Sequence, residues 1–103
     1  MNKLDDEIFV FNRLMNGDTE SVREYIAEFS PDALFADGLD DAIIGIVERF
    51  GMTPVVLYDR DKCVEILMGQ DMTLEEAEDF FGYNVIGSWV GDGTPCFAIL
   101  IKN

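Results

Sequence analysis

The chain contains no histidine. That removes the side chain most used to move protons near neutral pH. Ser–His–Asp and Cys–His nucleophile arrangements and the common zinc hydrolase sites go with it. Cysteine is scarce: Cys63 and Cys96 are the two, without C-x-x-C spacing. They read as free, partly buried thiols of a reducing cytosol, although sequence spacing leaves a disulfide between them open. Cations are scarce as well. Seven Lys and Arg stand against 21 Asp and Glu, a net charge of −14. Such a chain repels phosphate, so direct contact with nucleic acid is not expected. It is drawn instead to basic protein surfaces; plain solubility or adaptation to salt is the alternative meaning of the charge. No run of about 18 apolar residues occurs, so no membrane-spanning helix is expected. Residues 1–15 lack the basic start and long apolar run of a signal peptide.

Apolar residues are abundant. They make up 49% of the 103 residues and include eight Phe, three Tyr and one Trp. That suits one domain with a real core and argues against disorder despite the charge. We read residues 1–103 as a single domain, with a helical N-terminal part over 1–36 and a sheet with a two-helix crossover over 37–103.

Leu4, Ile8, Phe11 and Leu14/Met15 recur at helical spacing and predict a helix over 4–15; a strand through Ile8–Phe11 competes. A second helix is predicted from Thr19 to Phe29, burying Val22, Tyr25, Ile26 and Phe29 and exposing Glu24 and Glu28. Ser30-Pro31 looks like a helix start, giving a short helix that Asp37-Gly38 ends. The β-branched run from Ala42 predicts a strand to about Phe50, and Val55–Tyr58 predicts another. Gly51-Met52-Thr53-Pro54 is the expected turn between them, longer than a two-residue hairpin loop. Asp59 can cap a helix over Arg60–Met68 with Cys63, Val64, Leu67 and Met68 inward. Asp71 to Asn84 holds the most complete local signal. Thr73 and Glu76 form a capping box. Leu74, Ala77, Phe80 and Phe81 form an apolar stripe. Gly82 follows as an expected left-handed stop, with Asn84 fixing the turn. Cys96–Ile101 is a final apolar strand, able to add to the hairpin edge. The expected fold is α+β, a small, mostly antiparallel three-stranded sheet packed against helices.

Few residues offer chemistry. Asp37, Asp40 and Asp41, with Asp59 and Asp61, have carboxylates that could hold a divalent cation, but the EF-hand spacing is missing, and caps and turns account for most of them. Gly91-Asp92-Gly93-Thr94 precedes a strand and lacks a lysine, so it reads as a tight turn and not a phosphate cradle. Cys63 follows Lys62 near a helix start, which would lower a thiol pKa; a packed thiol is the simpler reading. Trp89, between Gly87 and Gly91, is either a plug at the core edge or an exposed binding anchor. The acidic helix faces remain. Glu20, Glu24 and Glu28 recur along one helix, and Glu75, Glu76, Glu78 and Asp79 crowd another. Carboxylates fixed on a rigid face can resemble a phosphate backbone and compete for basic grooves.

From Asp40 onward the chain resembles a family of small acidic uncharacterised proteins encoded by bacteriophages and prophages. The likeness rests on Asp41-Ala42-Ile43-Ile44-Gly45, Tyr58-Asp59, Lys62-Cys63-Val64-Glu65-Ile66-Leu67 and Met72-Thr73-Leu74-Glu75-Glu76-Ala77. It continues through Asn84-Val85-Ile86-Gly87, Val90-Gly91 and Thr94-Pro95. The resemblance implies a phage setting and action in the host bacterial cytoplasm. It transfers no function to any residue. Small acidic phage proteins often inhibit host machinery, including restriction and CRISPR systems, which is an analogy of class.

The first expectation is therefore a non-enzymatic inhibitor without cofactor. It would bind a host protein with a basic surface through Glu20, Glu24, Glu28, Glu75, Glu76, Glu78, Asp79 and Trp89. A structural or regulatory adaptor, homodimeric through residues 96–101, is the second. A divalent-metal-dependent enzyme using Asp37, Asp40, Asp41 and Asp59 is the third.

Overall fold

A computed structural model describes residues 19–101 of the chain. The helix expected over 4–15 lies outside them. Helix α1 spans Thr19–Phe29, as its spacing predicts. Val22 and Ile26 are buried, but Tyr25 and Phe29 are not; their rings stack on each other at the surface, 6.5 Å apart. The Ser30 N–H continues the ladder to the Ile26 carbonyl at 2.7 Å. Pro31 has no N–H to go further.

No helix follows Ser30. Residues 30–39 form turns, and the next helical element is a 3-10 turn at Asp40–Ala42. The expected short helix loses because tertiary partners take its hydrogen bonds. The Ala36 N–H donates to the Tyr58 hydroxyl at 2.8 Å, and the Leu34 N–H donates to the Gly93 carbonyl at 3.1 Å. Ser30 itself is buried, and its hydroxyl donates to the Pro54 carbonyl at 2.7 Å. It is a tie between helix and sheet, not a cap.

Strands β1 (Ile43–Arg49) and β2 (Met52–Asp59) pair antiparallel. The connection is tighter than the sequence suggests. Arg49 pairs with Met52, so the turn is Phe50-Gly51 alone, with Gly51 at φ 71° and Phe50 fully exposed. Met52, Thr53 and Pro54 belong to β2. A bulge admits the proline: between the Val47–Val55 and Arg49–Met52 pairs, Thr53 and Pro54 oppose Glu48. The extra residue of a bulge is unpaired, which suits a residue with no donor. Val55 and Val56 are consecutive and both fully buried; neighbours on a strand point to opposite faces, so both faces of β2 are shielded there.

Helix α2 (Arg60–Met68) begins where β2 ends, and the Asp59 carboxylate accepts the Lys62 N–H at 3.3 Å. Cys63, Val64 and Leu67 are buried, whereas Met68 is exposed. Asp71 takes a left-handed conformation, φ 68°, one that Asp tolerates better than most residues. Helix α3 (Leu74–Phe80) opens with the expected capping box. Thr73 Oγ1 accepts the Glu76 N–H at 3.1 Å, and Glu76 Oε1 accepts the Thr73 N–H at 2.9 Å.

The end of α3 departs from expectation. Gly82 is not left-handed and does not stop the helix. The chain continues through a π-helical segment, Phe81–Ile86, and ends at Gly87. Gly87 follows Gly82 by five residues, the spacing of a π turn. A Cβ at Gly87 would come within 2.7 Å of the Gly82 carbonyl oxygen, so only glycine closes the segment without displacement. Asn84 therefore lies inside this helix, not in a turn, and its carbonyl accepts the Ser88 hydroxyl at 3.1 Å. The apolar stripe is also narrower than its spacing suggests. Ala77 and Phe81 are buried, but Leu74 and Phe80 are exposed.

Strand β3 (Cys96–Ala98) runs parallel to β2, with Leu57 opposite Cys96, Tyr58 opposite Phe97 and Asp59 opposite Ala98. The helical crossover of residues 60–95 is what a parallel pair needs. The strand order is β1-β2-β3. The expected strand to Ile101 stops at Ala98 because its partner turns into α2 after Asp59. The result is α+β: a three-stranded sheet, antiparallel over its long pair, against helices. Its core joins Val22 and Ile26 of α1 to Val56, Tyr58, Cys63, Leu67 and Phe81. Phe97 stacks on Tyr58 and meets Phe81 edge-on, each at 5.2 Å between ring centres.

Candidate functional site

The acidic residues singled out above fall on separate elements. Glu24 and Glu28 are exposed on α1, and Glu20 belongs to its first turn. Glu75, Glu76 and Asp79 are exposed on α3, with Glu78 half-buried. Helices α1 and α3 do not pack closely on each other, so the two acidic sets do not merge into one cluster.

Two of the α3 carboxylates already have work inside the fold. Glu78 holds both terminal nitrogens of Arg60, the shorter contact at 2.5 Å, and the same guanidinium lies 5.1 Å from the Phe81 ring centre. That ion pair depresses the Glu78 carboxyl pKa and raises that of Arg60. Glu76 is depressed by the backbone N–H of Thr73. Both stay anionic; Glu75 and Asp79 are the carboxylates of this face with no partner among the described residues.

The metal-enzyme arrangement does not assemble. Asp40 faces Arg23, whose Nε and terminal nitrogen reach its two oxygens at 2.5 and 2.8 Å, while the guanidinium covers the Phe35 ring at 4.5 Å. Asp59 caps α2. Among the described residues no three carboxylates or thiols converge as a cation site would require. Cys63 is fully buried, and burial, with the Asp59 charge, pushes its pKa up to about 11. A reactive thiolate there is contradicted: Lys62 points its ammonium at Glu65, 3.6 Å away, and the thiol has lost its water.

Trp89 is exposed, at 69%, and so is not a core plug. The loop beyond it is tightly held. Thr94 Oγ1 accepts the Val90 N–H at 2.9 Å and donates to the Gly91 carbonyl at 2.6 Å. Arg49 donates to the Asp92 carbonyl at 2.7 Å. Gly91-Asp92-Gly93-Thr94 is thus a tight turn, tied to the hairpin.

Trp89 does not stand alone. Phe80, Tyr83, Ile86 and Val90 are exposed along the same stretch, Tyr83 at 82%. Sequence reasoning missed them by assigning Phe80 to the core and ending the helix at Gly82. The available signal was the recurrence of large apolar residues at 80, 83, 86 and 89, out of step with Phe81 and Val85. Beside them runs an open groove of about 340 Å³. Leu34, Phe35, Phe80, Val85, Val90 and Phe97 supply its apolar walls, and Asp37, Asn84, Ser88 and Thr94 its polar ones. No Lys or Arg among the described residues lines it.

Comparison with protein-family models, with curated proteins and with solved structures finds no match for this chain. No helix among the described residues is long and apolar enough to cross a membrane.

Proposed function

We propose that the protein is a non-catalytic, phage-encoded inhibitor. It binds a host defence or nucleic-acid-handling protein, of the restriction or CRISPR kind, at a basic groove, and keeps nucleic acid out. The observation that carries this reading is the fate of the cations. Arg23 is bound to Asp40, Arg60 to Glu78, Lys62 to Glu65, and Arg49 to the Thr53 and Asp92 carbonyls. These are the basic residues of the described chain, and each is occupied internally. The surface they leave is set by carboxylates, including Glu24, Glu28, Glu75 and Asp79. A surface of one sign with rigid helical spacing favours a basic partner over phosphate.

The test is capture of the partner from a bacterial lysate, then titration of the complex with salt and with DNA or RNA. Binding that falls steeply with salt and is displaced by nucleic acid supports the reading. Salt-insensitive binding removes it. Replacing Glu75 by Gln and Asp79 by Asn, which leaves the Glu76 cap and the Glu78–Arg60 pair intact, should weaken capture with the helical circular dichroism retained; unchanged capture would move the interface off α3.

A homodimeric adaptor is the second reading. It is favoured by Ile99, Leu100 and Ile101, which extend β3 beyond the reach of β2 and are exposed, Ile101 at 91%. Sedimentation at micromolar concentration should then give twice the 11.6 kDa chain mass, and a monomer counts against it.

A further inference from the structure

We propose that the groove between the π-helical segment, the 34–37 loop and residues 94–97 leading into β3, with Tyr83 and Trp89 next in the chain to its lining residues, receives a cationic amphipathic helix of the partner protein. This rests on the binding-protein reading above and adds the site and the chemistry of the occupant.

The groove joins exposed apolar side chains to a rigid frame. Phe80 and Val90 line the groove and are themselves exposed. Tyr83 and Trp89 adjoin the lining residues Asn84, Ser88 and Val90 in the chain and are more exposed still. Large apolar side chains contiguous at the surface mark interaction sites more often than chance solvent contact, and Tyr and Trp are favoured anchors. The backbone under them is fixed by the Gly82–Gly87 approach, by Thr94, and by the bonds from Arg49 and Leu34 to residues 92 and 93. Little ordering remains to be done when a partner arrives. An amphipathic helix laid in such a groove presents anchors at i, i+3 and i+4.

Charge chooses among the occupants. Asp37 lines the groove, Asp79 precedes Phe80, Asp92 follows Val90 by two residues, and both of the latter are exposed. A second copy of the chain brings another −14. The chain's own residues 1–18 carry Asp5, Asp6, Glu7 and Asp18 against Lys3 and Arg13. Both would bring like charge to an anionic rim. A helix with Lys or Arg flanking its apolar face brings the opposite sign.

Trp89 is the only tryptophan and stands in the chain between the lining residues Ser88 and Val90, so its emission reports on the margin of this groove. The full chain is titrated with a Trp-free helical peptide of Lys, Leu and Ala with the Leu on one face, and with a scrambled peptide of the same composition. The expected result is a saturable blue shift of Trp89 with the first peptide, no shift with the second, and at least fivefold weaker binding after Tyr83→Ala. An unmoved emission maximum, equal response to the scrambled peptide, or equal affinity of Y83A would overturn the proposal. Unmoved emission alongside lysate capture that stays salt-steep and nucleic-acid-competed would remove the groove while leaving the mimicry reading in place. A blue shift on self-association, seen on concentrating the chain alone, would assign the groove to a second copy and likewise overturn the proposal.

Discussion

Residues 40–68 and residues 80–101 are both rich in apolar side chains, and they dispose of them in opposite ways. In the first region Ala42, Ile43, Val55, Val56, Tyr58, Cys63, Val64 and Leu67 are buried. In the second Phe81 is buried and Val85 and Phe97 are partly so, while Phe80, Tyr83, Ile86, Trp89, Val90 and Ile99–Ile101 face outward. The difference is one of position in the sheet. Residues 40–68 build the central strand and the helix that covers it, so most of their apolar side chains find neighbours, with Phe50, Met52 and Met68 at the turn and helix ends left outside. Residues 80–101 include β3, the last strand of the sheet order, where the described residues supply packing on an inward side alone. Apolar content alone does not set burial; the number of packing partners that the topology supplies does.

Adjacent aromatics give the sharpest way to break this comparison. Phe81→Ala removes a ring at 1% exposure that meets Phe97 edge-on and lies under Arg60. It should cost about 3–5 kcal/mol in urea unfolding. Tyr83→Ala, two residues on, should stay within about 0.5 kcal/mol. Equal losses would mean that the outward residues are part of the core after all.

The buried region should also announce itself in base. Burial pushes the Tyr58 hydroxyl from 10.0 to about 12 and the Cys63 thiol from 9.0 to about 11. The folded chain then keeps protons that the unfolded chain has lost. Stability is complete below pH 9 and falls as pH rises from there towards 12, by roughly 2–3 kcal/mol for each group. Thermal midpoints across that range measure it. Cys63→Ser, which keeps a polar group of high pKa, should remove the part that begins at pH 9; an unchanged alkaline profile would show that Cys63 contributes none of it.

Two glycines five residues apart test the π-helical segment. Gly87→Ala must displace the Gly82 carbonyl and should cost about 1–3 kcal/mol. Gly82→Ala meets no atom within 4 Å and has no positive φ, so it should stabilise by about 0.4–1 kcal/mol. Opposite signs in thermal melts support the wide turn, whereas a left-handed Gly82 would reverse the second.

The smallest effect concerns the start of α3. Thr73→Ala should cost about 1 kcal/mol. Glu76 and Glu78 have depressed pKa values, so their contribution is present above the ordinary 4.5 and disappears as pH falls through the lower folded value. Glu76→Gln, which keeps an acceptor for the Thr73 N–H but cannot ionise, should remove the Glu76 part of that acid dependence, seen as a flatter melting profile below pH 4.5.

What was legible in the sequence was local. Thr19–Phe29 and Arg60–Met68 are bounded by short-range signals: Pro31 beyond one, Asp59 and Gly69 around the other. The Thr73–Glu76 capping box depends on residues three apart, and it forms as read. The candidate site was legible only as composition, in Trp89 and the exposed acids of α1 and α3. Neither Glu78's capture by Arg60 nor the groove is written in any short window, because each joins residues far apart in the chain.

The sequence by itself therefore determined the helices that carry their own caps, the two long strands, the α+β class and the sign of the surface. These follow from hydrogen bonds within one turn, from apolar spacing and from charge, none of which needs a distant partner. Tertiary structure decided the rest. It turned 30–39 from helix to turns because Tyr58 and Gly93 take the N–H groups of Ala36 and Leu34. It ended β3 at Ala98 because β2 bends into α2. It carried the helix past Gly82 into a π segment that ends at Gly87, with Phe81 against Phe97 and with Tyr83, Ile86 and Trp89 on the outside. Each of these outcomes is a competition between a local preference and a longer-range contact, and only the fold brings the second competitor into reach.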